Sequence, residues 1–237
     1  MSVVPSGPGR RLSGDQGSAL IEAGLLSPLF FFFFMALAEY GYAAGAYLNV
    51  NSAVGEGLRV ASVMGSAPTA DYQIIQSIEE ALEGRSDISV EKIVVFKSAD
   101  GDDLAPPGCT SGTTRSAVIV TQNVTRPDGT IVAIPAPGAC NGYTGPLDFS
   151  EPLANAHYYG CGAPRHAAGD NRSRGYCPND RISSFANVTS ASAVTSGPYY
   201  IGVYVRYKHD LITGFFGDDI TFEVQAITRI EPTEVGT

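Results

Sequence analysis

Apolar residues form a continuous run near the N-terminus of this 237-residue chain. Residues 23–38 carry no charge, and Glu22 and Glu39 bound the run on its two sides. As a helix, a run of this length spans roughly 24 Å at 1.5 Å per residue, which is close to the roughly 30 Å of a bilayer's hydrocarbon core. The pattern therefore predicts a helix that enters a membrane.

After this run, the apolar positions change to helical periodicity. One stripe is formed by Val50, Val54, Leu58 and Ala61. This spacing predicts that the helix continues to residue 66 with one face against a folded domain. A second, shorter amphipathic helix is predicted over residues 69–86, with Asp71 as its N-cap and Gly84 as its end.

Alternation of apolar and polar residues predicts an antiparallel sheet farther along the chain. The predicted strands cover residues 87–98, 115–125, 130–136, 200–207 and 220–231. In the last two strands the predicted inward faces are Ile201, Val203, Val205, Tyr207 and Ile220, Phe222, Val224, Ala226. Residues 135–198 are rich in turn-forming residues and predict loops. The expected fold class is α+β, a long helix followed by a small sheet.

Composition limits the possible partners and compartments. The formal net charge is −9, so the chain lacks the basic surface that nucleic acids require. Four cysteines, Cys109, Cys140, Cys161 and Cys177, all follow the apolar run, and we expect disulfides in an oxidising compartment. Three connectivities are possible, of which the simplest pairs neighbours along the chain.

Two clusters of polar residues could bind a metal ion, but neither has a recognised ligand spacing. His157, His166 and two cysteines lie within residues 157–177, yet this spacing is not that of a compact zinc site, and disulfides are the favoured interpretation. Asp100, Asp102 and Asp103 do not match a calcium loop and predict a solvated turn. No nucleophile motif or phosphate-binding loop is present. We expect no enzyme, no metal and no cofactor.

Glu22 is the most informative residue of the apolar helix. A carboxylate in lipid costs about 2.5–3.5 kcal/mol, so it should have a partner. No Lys, Arg or His follows it before Arg59. Cleavage between Gly17 and Ser18 would create a new amine, which could pair with Glu22 of a neighbouring copy.

Two simpler interpretations of the N-terminus remain open. In the first, it is a secretory signal peptide, cleaved after the Ala-Leu-Ala sequence at residues 36–38. In the second, it is a plain membrane anchor. Arg10 and Arg11 would then stay in the cytoplasm, and an aromatic belt would follow at Tyr40, Tyr42 and Tyr47.

Several motifs together resemble the TadE-like family of the tight-adherence (Tad) pilus system. A polar leader ends at Gly17, and Glu22 is the fifth residue after it. Pro28 and the Leu-Ala-Glu-Tyr-Gly stretch at residues 37–41 follow. Residues 51–62 then contain an element that starts with Asn51 and continues through Glu-Gly to Arg59. The resemblance covers residues 17–66 and, in the final strands, residues 199–231.

This resemblance implies a type IV pilin-like organisation. The expected parts are a leader at residues 1–17, a membrane and extended helix at 18–66, and an extracytoplasmic domain at 67–237 with a loop-rich insertion at about 100–197. It also implies a prepilin peptidase and other pilin-like subunits as partners, with the N-terminus cytoplasmic. Gly41 and Gly45 have the spacing of a helix-packing motif. The alternative is a membrane-anchored or secreted binding module outside any pilus; a more distant one is an exported zinc enzyme that uses His157, His166 and Cys177.

Overall fold

The structure is a computed structural model, and it divides the chain into two units, Met1–Tyr42 and Ala43–Thr237, which are treated separately below. The described residues are 15–64, 67, 69–112, 116–125, 129, 131–144, 176, 178, 181 and 200–230.

Helix α1, Asp15–Met64, contains 50 residues and contributes to both units. It is helical because Ala and Leu, which are strong helix formers, recur throughout and because Ile21 is the only β-branched residue before Val50. In the sequence, Gly65 and Pro68 follow its last residue and explain why it ends there. The structure thus confirms the long N-terminal helix, with bounds a few residues earlier than predicted.

In the second unit, α1 packs beside α2, Ala70–Ala81. A Cβ placed on Gly57 would lie 2.7 Å from Cγ1 of Ile78, so only glycine allows this close approach without a shift of that side chain. Thr69 is the N-cap, and Asp71 lies inside the helix. The prediction of Asp71 as N-cap was therefore wrong, because its carboxylate is used in a buried ion pair described below.

The main sheet is antiparallel, with five strands in the order β2-β5-β1-β6-β7. A separate two-stranded sheet pairs β3 with β4. The strands are β1 Ile88–Ser98, β2 Ser116–Val118, β3 Thr121–Thr125, β4 Ile131–Pro135, β5 Cys140–Thr144, β6 Tyr200–Asp210 and β7 Asp219–Arg229, and a short helix α3 covers Pro107–Thr110. The sheet confirms the predicted α+β class.

The central strands are buried on both faces. One face, which we call the helix-side cluster, contains Ile93 and Val95 together with the buried stripes of α1 and α2. The other face, the disulfide-side cluster, contains Val94, Phe96 and Cys109. A bulge between Val90 and Lys92 sets this alternation along β1.

Three strand predictions need correction. Residues 115–125 were predicted as one strand, but β2 pairs with β5 while β3 belongs to the second sheet. Strand β5 lies inside residues 135–198, where the sequence predicted loops. In β7, Val224 is buried as predicted, whereas Ile220 is 37% exposed because it lies beside the hairpin connection.

Candidate functional site

The first part of α1 exposes an almost wholly apolar surface. Within Ser18–Met64 the structure contains a helix long and apolar enough to cross a membrane, and its apolar window is 0% buried inside the protein. The side chains of the phenylalanine run at residues 30–34 are each about half exposed or more, from 49% to 63%. A surface of this kind is suited to contact with lipid or with neighbouring apolar helices.

Glu22 lies on this apolar surface, and its side chain is exposed. The next basic residue, Arg59, forms an ion pair with Glu56 at 3.5 Å. At 1.5 Å per residue, Arg59 is roughly 55 Å along the helix from Glu22. No basic side chain of α1 itself can therefore neutralise this carboxylate.

The Gly17–Ser18 bond lies within the first turn of α1, since the helix begins at Asp15. N–H groups in a first turn have no partner inside their own helix.

Pro28 removes one hydrogen bond from the ladder of α1, because it has no N–H to donate to the carbonyl of Gly24. The hydroxyl of Ser27 lies 3.4 Å from that carbonyl oxygen and can donate to it. An unpartnered carbonyl is costly in lipid. Ser27 was not singled out from the sequence, although its position directly before Pro28 was visible.

Glu39 differs from Glu22. Its side chain is only 5% exposed, next to Tyr40 at 76%. Glu39 falls on the same helical stripe as Ala43 and Ala46, which are also buried. Glu39 therefore belongs to the buried face of α1, whereas Glu22 is exposed.

Gly41 and Gly45 make no close contact across the helix surface. A Cβ built on either glycine would meet no atom within 4 Å among the described residues, apart from the neighbouring helix backbone. The side-chain amide of Asn49 donates to the carbonyl oxygen of Gly45 at 2.8 Å. An alanine could therefore replace either glycine without a clash among the described residues.

Comparison with known protein families gives one match, which lies within helix α1. The model of the TadE-like protein family matches residues 17–59, from the predicted cleavage site through the Glu56–Arg59 pair. These residues form a TadE-like segment. The match supports a pilin-like role associated with the Tad pilus. No curated protein and no solved structure matches the chain significantly.

Beyond the TadE-like segment, the domain is held by a disulfide between Cys109 and Cys140, with 6.3 Å between their Cα atoms. The bond joins α3 to β5, and both cysteines are fully buried. This confirms one of the two predicted pairs. Cys161, Cys177, His157 and His166 lie outside the described residues, as do the sites that would use them.

A buried polar cluster lies on the domain near the start of α2. A nitrogen of the Arg181 guanidinium is 2.6 Å from the Asp71 carboxylate, and both side chains are 0% exposed. The Tyr143 hydroxyl donates to the same carboxylate at 2.6 Å. The Asn141 side chain donates to the carbonyl of Tyr176 at 2.8 Å and accepts from its N–H at 3.0 Å.

Charge complementarity explains how this cluster tolerates burial. Burial would lower the pKa of Arg181, but the Asp71 carboxylate and the neighbouring tyrosines raise it, so the guanidinium stays charged. The central guanidinium carbon of Arg181, Cζ, also lies 4.1 Å from the centre of the Tyr176 ring. Burial and Asp71 raise the pKa of Tyr143, which remains a donor. The cluster fixes Tyr176 and Arg181 to the domain.

Two further cations are buried within the sheet. Lys97 donates to the carbonyl of Pro135 at 2.5 Å, and burial lowers its pKa to about 8. Lys92 donates to the carbonyls of Ser111 and Gly112 at 2.8 and 3.1 Å, and burial lowers its pKa too. Both amines hold irregular chain segments against the strands, which indicates a structural role.

The aspartate cluster after β1 forms a turn. The N–H of Asp102 donates to the Asp100 carboxylate at 3.0 Å, and Ser98 donates to the Asp103 carboxylate at 3.0 Å. Over the part of the chain that the structure describes, no group of three or more His, Cys, Asp or Glu residues could hold a metal ion.

Proposed function

We propose that this chain is a TadE-like minor pilin or pseudopilin of Tad pilus assembly, processed by a prepilin peptidase between Gly17 and Ser18. The observation that carries the proposal is Glu22, a carboxylate exposed on the apolar surface of the TadE-like segment. A charge in that position has to be compensated from outside its own helix. The new amine of Ser18 on a neighbouring subunit is a compensating group that processing itself would supply.

The electrostatics favour this pairing in lipid and disfavour it in water. Exposed ion pairs contribute about 1 kcal/mol or less in water. In lipid each unpaired charge is costly, and breaking a desolvated pair leaves the remaining charge uncompensated. The Glu22 carboxylate therefore gains a partner most strongly when a neighbouring helix is inserted beside it.

Processing also changes the charge on the cytoplasmic side. Removal of residues 1–17 eliminates Arg10, Arg11 and Asp15, so the formal net charge changes from −9 to −10. Before cleavage, the two arginines favour retention of the N-terminus in the cytoplasm. This charge distribution is consistent with insertion first and release of the leader afterwards.

The disulfide supports an extracytoplasmic position for the domain. Disulfides persist in oxidising compartments and are rare in the cytosol. The Cys109–Cys140 bond lies in the domain, and the arginines lie before the membrane helix. With a single crossing between them, we infer that the domain faces outward and the N-terminus inward.

Gly41 and Gly45 are proposed as a contact between subunits. Their open surface has room for the backbone of another helix, as small residues allow in membranes. The proposed assembly contacts are therefore Glu22 in the membrane segment and the Gly41–Gly45 pair nearer the domain.

The test is complementation of a deletion strain with Glu22→Ala. The variant should insert and be processed, because removal of a charge eases insertion and leaves Gly17 unchanged. It should lose pilus assembly. The matched control is Glu56→Ala, which removes an exposed carboxylate from the same helix and should assemble normally.

Mass spectrometry of the membrane-extracted protein completes this experiment. The wild type and both variants should begin at Ser18, whereas Gly17→Ala should retain its leader. Normal piliation by Glu22→Ala, with the protein still required for pili, would contradict the pairing. A mature N-terminus at Glu39 would instead identify a signal peptide and a secreted binding module.

A further inference from the structure

The connection between β6 and β7 exposes apolar side chains at its tip. Residues 211–217 are uncharged, and Ile212, Phe215 and Phe216 are 61%, 59% and 56% exposed. We call residues 211–217 the hairpin tip. Large aromatic and aliphatic side chains at this exposure are unfavourable in water and require a specific reason.

A backbone hydrogen bond and two glycines shape the hairpin tip. At its base, the N–H of Leu211 donates to the carbonyl of Asp218 at 2.9 Å. Gly214 and Gly217 adopt φ values of +66° and +122°, which other residues rarely adopt. The two glycines supply backbone conformations that the turn between β6 and β7 uses.

The tip lies at the end of the domain where α1 enters. Phe222 of β7 is paired with Tyr207 of β6, and their rings stack with 5.5 Å between centres. The Phe222 ring is also 6.4 Å from that of Tyr47 in α1. From Phe222 the strand runs only about 10 Å to its first residue, Asp219, which is two residues beyond the hairpin tip.

Tyr47 is close to the membrane part of the chain. It follows Tyr42, the last residue of the apolar unit, by roughly 8 Å of helix. Tyr40, Tyr42 and Tyr47 are 76%, 56% and 42% exposed, as expected of aromatic residues at a membrane–water interface. Within the domain, the same end thus carries Tyr47, close to where α1 joins it, and, beyond Phe222, the hairpin tip.

We propose that the hairpin tip is a second membrane contact, which inserts Ile212, Phe215 and Phe216 into the interfacial layer of the bilayer's outer face. The proposal rests on membrane insertion of α1 but not on cleavage or pilus assembly. Amphipathic surface elements typically reach roughly 5–10 Å into the boundary between headgroups and acyl chains. Contact at two points would fix the tilt of the domain on the membrane.

The charges around the tip define the lipid chemistry. Asp210, Asp218 and Asp219 surround its base, and Lys208 lies 3.6 Å from the Asp219 carboxylate. An acidic base is repelled by an anionic surface. The contact should therefore depend on apolar burial and should favour zwitterionic over anionic lipid.

The absence of tryptophan from the sequence permits a direct test. The full chain with Phe216→Trp is reconstituted at one copy per phosphatidylcholine nanodisc. We expect blue-shifted emission, protection from iodide, and quenching by brominated lipids that is stronger for bromines near the headgroup end than near the acyl terminus. The control is Ile119→Trp, at a position 61% exposed on the domain, which should be quenched by iodide and not by brominated lipid.

Each other outcome would overturn the proposal. Iodide quenching of Phe216→Trp without lipid quenching would place the tip in water. Protection from both quenchers in single-copy nanodiscs would show that protein of the same chain covers it. Protection only in isolated pili would assign the tip to a neighbouring subunit. Intact circular dichroism and pilus assembly of Phe216→Trp in cells would separate failure of this proposal from failure of the pilin role.

Discussion

The apolar segment at residues 18–42 and the domain that follows differ in which side chains they expose and which they bury. The segment exposes its phenylalanines and its Glu22 carboxylate, whereas the domain buries Asp71, Arg181, Lys92 and Lys97. In the domain every one of these four charges has a partner within the chain. The domain thus pairs these buried charges internally, whereas the segment exposes an apolar surface suited to lipid.

The largest effect should come from breaking the buried pair in the domain. Arg181→Ala leaves Asp71 unpaired and should cost about 3–5 kcal/mol of unfolding free energy. Membrane insertion should be unchanged, because the helix is independent of this contact. The unfolding free energy is measured by urea unfolding of the detergent-extracted chain, followed by circular dichroism. Membrane insertion is measured by membrane fractionation.

The matched control is Arg85→Ala, which removes a partly exposed pair with Asp87 at 2.9 Å. It should cost about 1 kcal/mol or less. Replacing both partners, with Asp71→Leu and Arg181→Met, should recover part of the loss since no charge is left alone. If Arg181→Ala destabilises the chain no more than Arg85→Ala, the buried pair does not hold the domain.

A smaller effect is expected from the disulfide. The Cys109–Cys140 bond closes a loop with a sequence separation of 31 residues. Changing both cysteines to Ala should cost about 2–4 kcal/mol, mainly by enlarging the unfolded ensemble. The measurement is urea unfolding under oxidising conditions, with Cys161 and Cys177 unchanged. An unfolding midpoint equal to that of the wild type would show that the bond is dispensable.

The smallest effects on stability are expected from replacing one glycine in each region. A Cβ on Gly202 would lie 2.2 Å from Cζ of Phe96, so Gly202→Ala should cost about 1–3 kcal/mol through overpacking. Gly41→Ala meets nothing within 4 Å and should leave domain stability unchanged. Equal unfolding curves for the two variants would contradict the packing, and a defect in piliation confined to Gly41→Ala would support its role between helices.

The sequence predicted the elements with strong periodicity. Helix α1, helix α2 and strands β1, β6 and β7 are long, and their apolar positions repeat regularly, so local pattern was sufficient. The inward faces of β6 were confirmed because Ile201, Val203, Val205 and Tyr207 all lie in the helix-side cluster.

What the sequence missed depends on contacts distant along the chain. Strand β5 has the sequence Cys-Asn-Gly-Tyr-Thr, which has the character of a turn. It is a strand because β1 and β2 pair with it on both sides and because Asn141 and Tyr143 join the buried polar cluster. Gly142 is required there, since a Cβ would lie 2.4 Å from the Ser116 hydroxyl.

The candidate site was predicted unevenly for the same reason. Glu22 was found from the sequence because an isolated carboxylate in an apolar run is a local signal. Its proposed role, like those of Gly17 and Ser18, stays a prediction. The structural role of Arg181 was not predicted, because its partner, Asp71, lies far away in the sequence at the start of α2.

The pairing of β1 with β6 also has a consequence for the order in which the strands of the domain are synthesised. Phe96 of β1 is opposite Gly202 of β6, so β1 is synthesised more than a hundred residues before its partner strand. At a synthesis rate of about 5–20 residues per second, this interval is roughly 5–20 s. During this interval, the edge of β1 that receives β6 has no strand partner. A chain stalled between β1 and β6 would therefore expose an unpaired sheet edge, a feature that promotes aggregation.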